Sequence, residues 1–156
     1  MDLNNMHVLM IGHDRDATVV RKALADAKDR VFTIECATLL SDGLERLRRN
    51  SIAAVMLDLR LPDSQGLATF EQLRQAAPDV ALLIINSADD QDLARHAVRR
   101  GAQDYLQKDR IDPESLPRAL RHIIERKAKP DPALVERPRP ANNAVIGARS
   151  AIDGRR

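Results

Sequence analysis

Five short apolar runs, each followed by a stretch with apolar residues at helical spacing, constrain this chain more than any other feature. The runs occupy residues 7–11, 31–36, 53–57, 81–85 and 104–106. Runs that are apolar throughout read as strands buried on both faces, whereas 31–36 alternates and exposes one face. Between them lie helical faces. Val20, Ala23, Leu24 and Ala27 follow Asp16 as a cap; Leu40, Leu44 and Leu47 follow Thr38. Leu67, Phe70, Leu73 and Ala77 share a face over 66–77, which stops before Pro78. Leu93, Ala94, Ala97 and Val98 follow Asp90 and close on Gly101 at the C′ position. The last helix carries Leu116, Leu120, Ile123 and Ile124 inward and begins near Ser115 rather than Asp112, because Pro117 lacks an N–H and suits only a first turn. Alternation of this kind predicts an α/β fold, a doubly wound five-stranded parallel sheet in the order 2-1-3-4-5. Its working site falls beyond the carboxyl ends of the strands, where the strand order reverses.

Composition removes several function classes. The single cysteine, Cys36, excludes a disulfide framework and a cysteine-based zinc site, and reads as a small buried apolar residue. Three aromatic residues, Phe32, Phe70 and Tyr105, are too few for a platform that stacks single-stranded nucleic acid. Net charge is +2, but it is uneven. Residues 128–156 hold six basic and three acidic side chains, and the first 127 hold 19 and 20. The basic excess is therefore a property of the tail, which argues against nucleic-acid binding by the folded part. No apolar run is long enough to span a bilayer, and the first residues lack a signal-peptide pattern, so the expected location is the cytoplasm. The expected organisation is a folded domain over 5–127 and a flexible Pro/Arg-containing tail over 128–156, too short to fold an output domain.

Chemistry gathers at the strand ends. Asp58 directly follows a five-residue apolar strand, where a carboxylate needs a partner. Lys108 follows the fifth strand and is the candidate cation. Gly12, His13 and Asp14 follow the first strand, and Asn86 and Ser87 the fourth. An aspartate, a lysine, a second acid and two small polar groups around one crevice suit a carboxylate that accepts a phosphoryl group, with Mg²⁺ bridging oxygens.

Leu57-Asp58-Leu59-Arg60-Leu61-Pro62-Asp63 with Gly66, then Gly101-Ala102-Gln103-Asp104-Tyr105-Leu106-Gln107-Lys108, resembles the receiver domain of bacterial two-component response regulators, a flavodoxin/CheY-like fold, from residue 7 to about 127. The resemblance implies that Asp58 is phosphorylated by a histidine kinase or phosphotransfer protein. It implies that Lys108 contacts the phosphoryl group, with Asn86 and Ser87 at strand four, and that Tyr105 swings inward on activation. It implies a downstream protein target through helix four, strand five and helix five, no enzymatic turnover, and Mg²⁺ held by Asp14, Asp58 and the Arg60 backbone carbonyl.

The acidic pair that holds Mg²⁺ in the family is replaced here by Gly12 and His13, leaving only Asp14 next to them. Mg²⁺ wants hard oxygens in octahedral geometry, so weak or absent metal binding is expected. His13 reads as a metal ligand or a turn residue; Asp14 and Asp16 read as metal-side acids or helix caps. Asn86 stands where the family has a hydroxyl, and Asp109 follows Lys108 where proline is common. The function expected is a single-domain receiver that accepts a phosphoryl group on Asp58. The alternatives are a pseudo-receiver that binds a partner without phosphate and, third, an aspartate-nucleophile phosphatase, against which Arg60 stands two residues after Asp58 in place of a second carboxylate.

Overall fold

The computed structural model of this protein describes residues 5–28 and 31–128. The segment read as a tail, beyond Ala128, lies outside the described residues. The elements run β1 (Met6–Ile11), α1 (Asp14–Ala25), β2 (Phe32–Ala37), α2 (Leu40–Arg49), β3 (Ala54–Asp58), α3 (Leu67–Ala76), β4 (Ala81–Asn86), α4 (Gln91–Arg99), β5 (Asp104–Gln107) and α5 (Ser115–Ala128). A two-residue hairpin, Arg60–Leu61 against Ser64–Gln65, bridges β3 and α3. Strand boundaries differ from the sequence reading by one residue or so.

All pairings of the main sheet are parallel, and its order is β2-β1-β3-β4-β5, as the alternation predicts. The order reverses between β1 and β3, which places a crevice beyond Ile11 and Asp58. Successive residues of each strand serve opposite faces. Val8, Met10, Met56, Leu83 and Ile85 pack with α1 and α5; Leu9, Ile11, Val55, Leu57 and Ile84 pack with α2, α3 and α4. Burial on both faces makes β3 and β4 read as unbroken apolar runs. Among the described residues, no helix is long and apolar enough to cross a membrane.

The N-caps of α1, α2 and α4 depart from the sequence reading, whereas α3 ends before Pro78, α4 closes on Gly101 and α5 starts as expected. α5 begins at Ser115, with the N–H groups of Glu114 and Ser115 donating to Asp112 Oδ1. Gly101 takes φ 129° after α4, the backbone that favours glycine. Thr38, Asp16 and Asp90 do not cap: α1, α2 and α4 have His13, Leu39 and Asp90 at their N-cap positions, and none makes a side-chain cap bond. The cap of α2 comes from elsewhere in the chain. Asp63 accepts the Leu40 N–H on Oδ1 at 2.8 Å and the Ser41 N–H on Oδ2 at 3.0 Å. Slight burial pulls the Asp63 carboxyl upward, but the Ser41 and Leu40 donors outweigh it and hold it below the usual carboxylate range.

A carboxyl lowered in the fold stabilises above its unfolded pKa, near about 3.9, and loses that contribution as pH falls through the lower folded value. Asp63→Ala should therefore cost about 1 kcal/mol at pH 7, as lost caps do, and the gap to wild type should close on acidification below that value. Urea unfolding at neutral and acid pH measures both.

Gly43 in the middle of α2 looks like a weak helix residue, yet it is buried, and a Cβ there would collide with the Ile11 side chain of β1. Helix propensity alone would favour alanine by up to about 1 kcal/mol. Ile11 is fully buried and has no room to give, so Gly43→Ala should destabilise by about 1–3 kcal/mol instead. A rise in melting temperature would show that α2 does not seat this closely.

Candidate functional site

The strand ends bring Asp58, Lys108, His13 and Asp16 to one place. Asp58 is the last residue of β3 and is 3% exposed, a buried charge that requires compensation. Lys108, directly after β5, sets its Nζ 2.7 Å from Asp58 Oδ2 and 2.8 Å from Asp16 Oδ2. The Arg60 N–H donates to Asp58 Oδ1 at 2.9 Å and fixes the carboxylate plane. Oδ2 is covered and accepts no well-directed hydrogen bond, so its contact with Lys108 is an ion pair outside hydrogen-bonding angles. Burial works against the charge of Lys108, but Asp16 and Asp58 outweigh it and hold the amine above the usual lysine value.

His13 lies over the same carboxylate. Its Nε2 is 2.7 Å from the Arg60 carbonyl oxygen and 3.7 Å from Asp58 Oδ2. A carbonyl only accepts, so Nε2 carries the proton and donates. Asp14, by contrast, is not brought in. It is exposed in the first turn of α1, and among the described residues no hydrogen bond or ion pair joins its side chain to Asp58 or Lys108. Its charge is felt at Cys36 on β2, a half-buried thiol pushed up first by burial and to a lesser degree by Asp14.

The β4 side is held shut by a polar chain. Arg60 grips Asp90 in a bidentate pair, Nε to Oδ2 at 2.7 Å and Nη2 to Oδ1 at 2.6 Å. The Ser87 hydroxyl donates to Asp90 Oδ2 at 3.3 Å, so Ser87 faces that carboxylate. The Arg60 guanidinium, more than the burial that opposes it, holds the Asp90 carboxyl below its ordinary range. Asn86, 4% exposed at the end of β4, donates from Nδ2 to the Ser87 carbonyl, and its Oδ1 has no partner. Tyr105 on β5 is half-buried, and its hydroxyl meets Arg95 and Gln91 of α4, which lower its pKa.

These residues do not fit Mg²⁺. Asp58 and the Arg60 carbonyl are hard oxygen donors, but the carbonyl is taken by His13 and Asp16 is taken by Lys108. Gly12 has no side chain to offer, and among the described residues no group of three His, Cys, Asp or Glu side chains could hold a metal.

Sequence reasoning left Asp16 between a helix cap and a metal-side acid and missed its contact with Lys108. The available signal was the i, i+3 spacing from His13, which puts both on one side of the first helical turn. It also missed the Arg60–Asp90 grip, which joins residues 30 apart and leaves no local pattern.

Residues 6–121 match the response regulator receiver domain family. The photosynthetic apparatus regulatory protein RegA of Rhodobacter capsulatus is 33% identical over 107 residues, covering 69% of this chain and 58% of that protein. The acid tolerance regulatory protein ActR of Rhizobium meliloti (strain 1021) is 28% identical over 95 residues, covering 61% and 49%. The chain thus spans about half the length of these relatives. Among solved structures, a response regulator receiver domain protein from Clostridium thermocellum aligns with TM-score 0.65 at 25% identity, covering 79% of this chain and 97% of that one. The signal receiver domain of an HD domain-containing protein from Pseudomonas fluorescens Pf-5 aligns with TM-score 0.68 at 19% identity, covering 82% and 92%.

Proposed function

The chain belongs to the response regulator receiver family, and from that membership we propose that it takes a phosphoryl group onto Asp58 and passes the change on through a protein contact. Receiver domains act in two-component signalling with histidine kinases or phosphotransfer proteins and with downstream effectors. The observation that carries the reading is Asp58 at the end of β3, buried, held on one oxygen by the Arg60 N–H and paired through the other with Lys108.

In the proposed step a carboxylate oxygen of Asp58 attacks the donor phosphorus. With acetyl phosphate as donor, the bond from phosphorus to the acetyl oxygen breaks and acetate leaves with the electron pair. With a phosphohistidine, the phosphorus–nitrogen bond breaks and the imidazole keeps the pair. The chain's own groups supply position and charge. Arg60 fixes the carboxylate; Lys108, already against Oδ2, follows the phosphoryl oxygens; Asn86 holds an amide donor at the end of β4. Asp16 keeps Lys108 charged and aimed. No step is routed through a metal. Output passes through α4, β5 and α5, where Tyr105 rests against Arg95 and Gln91.

A second reading has its own observation. Oδ2 is covered, so a donor reaches it only when Lys108 or His13 moves aside. A chain that stays closed would be a pseudo-receiver that binds its partner without phosphate. Tyr105 is the chain's one tyrosine and reports on the difference. Acetyl phosphate should change its fluorescence in wild type and leave Asp58→Asn unchanged. An unchanged signal in both, together with no gain in mass, supports the closed module.

A further inference from the structure

We infer that His13 stands in the place of the divalent cation, so that phosphoryl uptake by Asp58 needs no metal. The inference rests on the phosphoacceptor reading for its chemistry, but on geometry alone for its placement.

A bridging cation at a site of this kind has two jobs. By the family resemblance, Asp58 and the Arg60 carbonyl would help to hold it, and it would supply a positive partner to incoming phosphoryl oxygens. Here the Arg60 carbonyl already receives the His13 Nε2–H at 2.7 Å, and the same nitrogen is 3.7 Å from Asp58 Oδ2. One imidazole therefore spans the two oxygens that a cation would join. Its neighbours offer no second donor set. Gly12 contributes no ligand; Asp16 is committed to Lys108; Asp14 is exposed and apart from Asp58.

Backbone placement explains why His13 arrives there. It is the N-cap of α1, extended at φ −75° and ψ 150°, and directly follows Gly12, whose N–H is bonded to the Ala37 carbonyl. The turn from β1 into α1 thus delivers the ring across the crevice to the hairpin after β3. The ring is about half exposed, and its Nε2 edge is the one turned to the Arg60 carbonyl and Asp58. Lys108 carries the charge compensation at 2.7 Å, the job that the metal would otherwise share.

The consequence is a receiver whose labelling does not follow Mg²⁺. Acetyl phosphate should label the full chain at the same rate, within about twofold, in Mg²⁺ and in EDTA. His13→Ala should label at least about tenfold more slowly in EDTA, and Mg²⁺ should restore part of that rate, because the Arg60 carbonyl is then free. Mn²⁺ is the independent probe. It should leave the Asp58 and Arg60 amide signals of wild type sharp and broaden them in His13→Asp. Labelling of wild type in Mg²⁺ but not in EDTA overturns the inference and leaves the phosphoacceptor reading standing. No labelling under either condition defeats the phosphoacceptor reading, and Mn²⁺ then decides the placement. Broadening of the wild-type Asp58 and Arg60 signals shows a metal where we put the ring.

Discussion

Lys108→Met is expected to lower the unfolding free energy by about 2–3 kcal/mol at pH 7, below the range for fully buried pairs because Lys108 is 27% exposed. Methionine keeps most of the stem and removes the ammonium. What remains is the Asp58 carboxylate, 4% exposed at the side chain, with Asp16 beside it and no ammonium between them. The main cost is this uncompensated charge rather than lost packing. It follows that Asp58→Asn should recover at least half of the loss when added to Lys108→Met, a coupling that a double-mutant cycle measures. The pH dependence has a definite sign. Lys108 is raised in the fold, so its contribution is complete below the unfolded lysine value, near about 10.4, and is lost as pH rises through the higher folded value. Wild type should shed stability in that alkaline window, and Lys108→Met should not. Equal stability of the two chains at pH 7 would mean that Asp58 is compensated without the lysine.

The double change Gly12→Asp with His13→Asp is expected to convert a site that does not fit Mg²⁺ into one that does, with affinity tightened about tenfold or more, since it adds two hard oxygen donors and frees the Arg60 carbonyl. The backbone at Gly12 admits the change. A Cβ there would stand 3.1 Å from Met10 Cε, the tip of a flexible side chain, and 3.6 Å from Asp58 Cβ. Without metal the variant should be less stable than wild type, because two new carboxylates then join Asp58 and Asp16 in one crevice that holds a single lysine. Adding Mg²⁺ should raise its melting temperature by mass action, while wild type stays unmoved. Equal Mg²⁺ affinities for the two chains would mean that Asp14 already serves as a ligand, and that His13 does not exclude the ion.

What could be read in advance and what could not divide along a physical line. The five strands, their two-sided burial and the order of the sheet follow from local apolar runs, because a parallel sheet covered on both faces leaves an unbroken signal in each strand. Asp58 and Lys108 were legible for a related reason: polar residues directly after buried strands stand out, and topology brings their ends together. The N-caps of α1, α2 and α4 were not legible. Thr38, Asp16 and Asp90 have the right chemistry at the right spacing, but each site was settled by a competing partner. Asp16 is taken by Lys108, Asp90 by Arg60, and the first N–H groups of α2 by Asp63, 22 and 23 residues away in sequence. A charged partner forms a stronger hydrogen bond than a local cap, so tertiary contacts override the capping pattern. His13 was ambiguous for the opposite reason: its role depends on a carbonyl 47 residues away, which has no side-chain signature at all.

The central claim, that Asp58 is the acceptor, has a compact test. Trypsin releases residues 50–60 as one peptide, in which Asp58 is the single side-chain carboxylate. After incubation with acetyl phosphate, with and without Mg²⁺, that peptide should gain one phosphoryl mass and lose it in hydroxylamine, as an acyl phosphate does and a phosphoserine at Ser51 does not. The same peptide from Asp58→Asn should stay unlabelled. A hydroxylamine-sensitive label carried by any other peptide, or by this one in Asp58→Asn, would contradict the account.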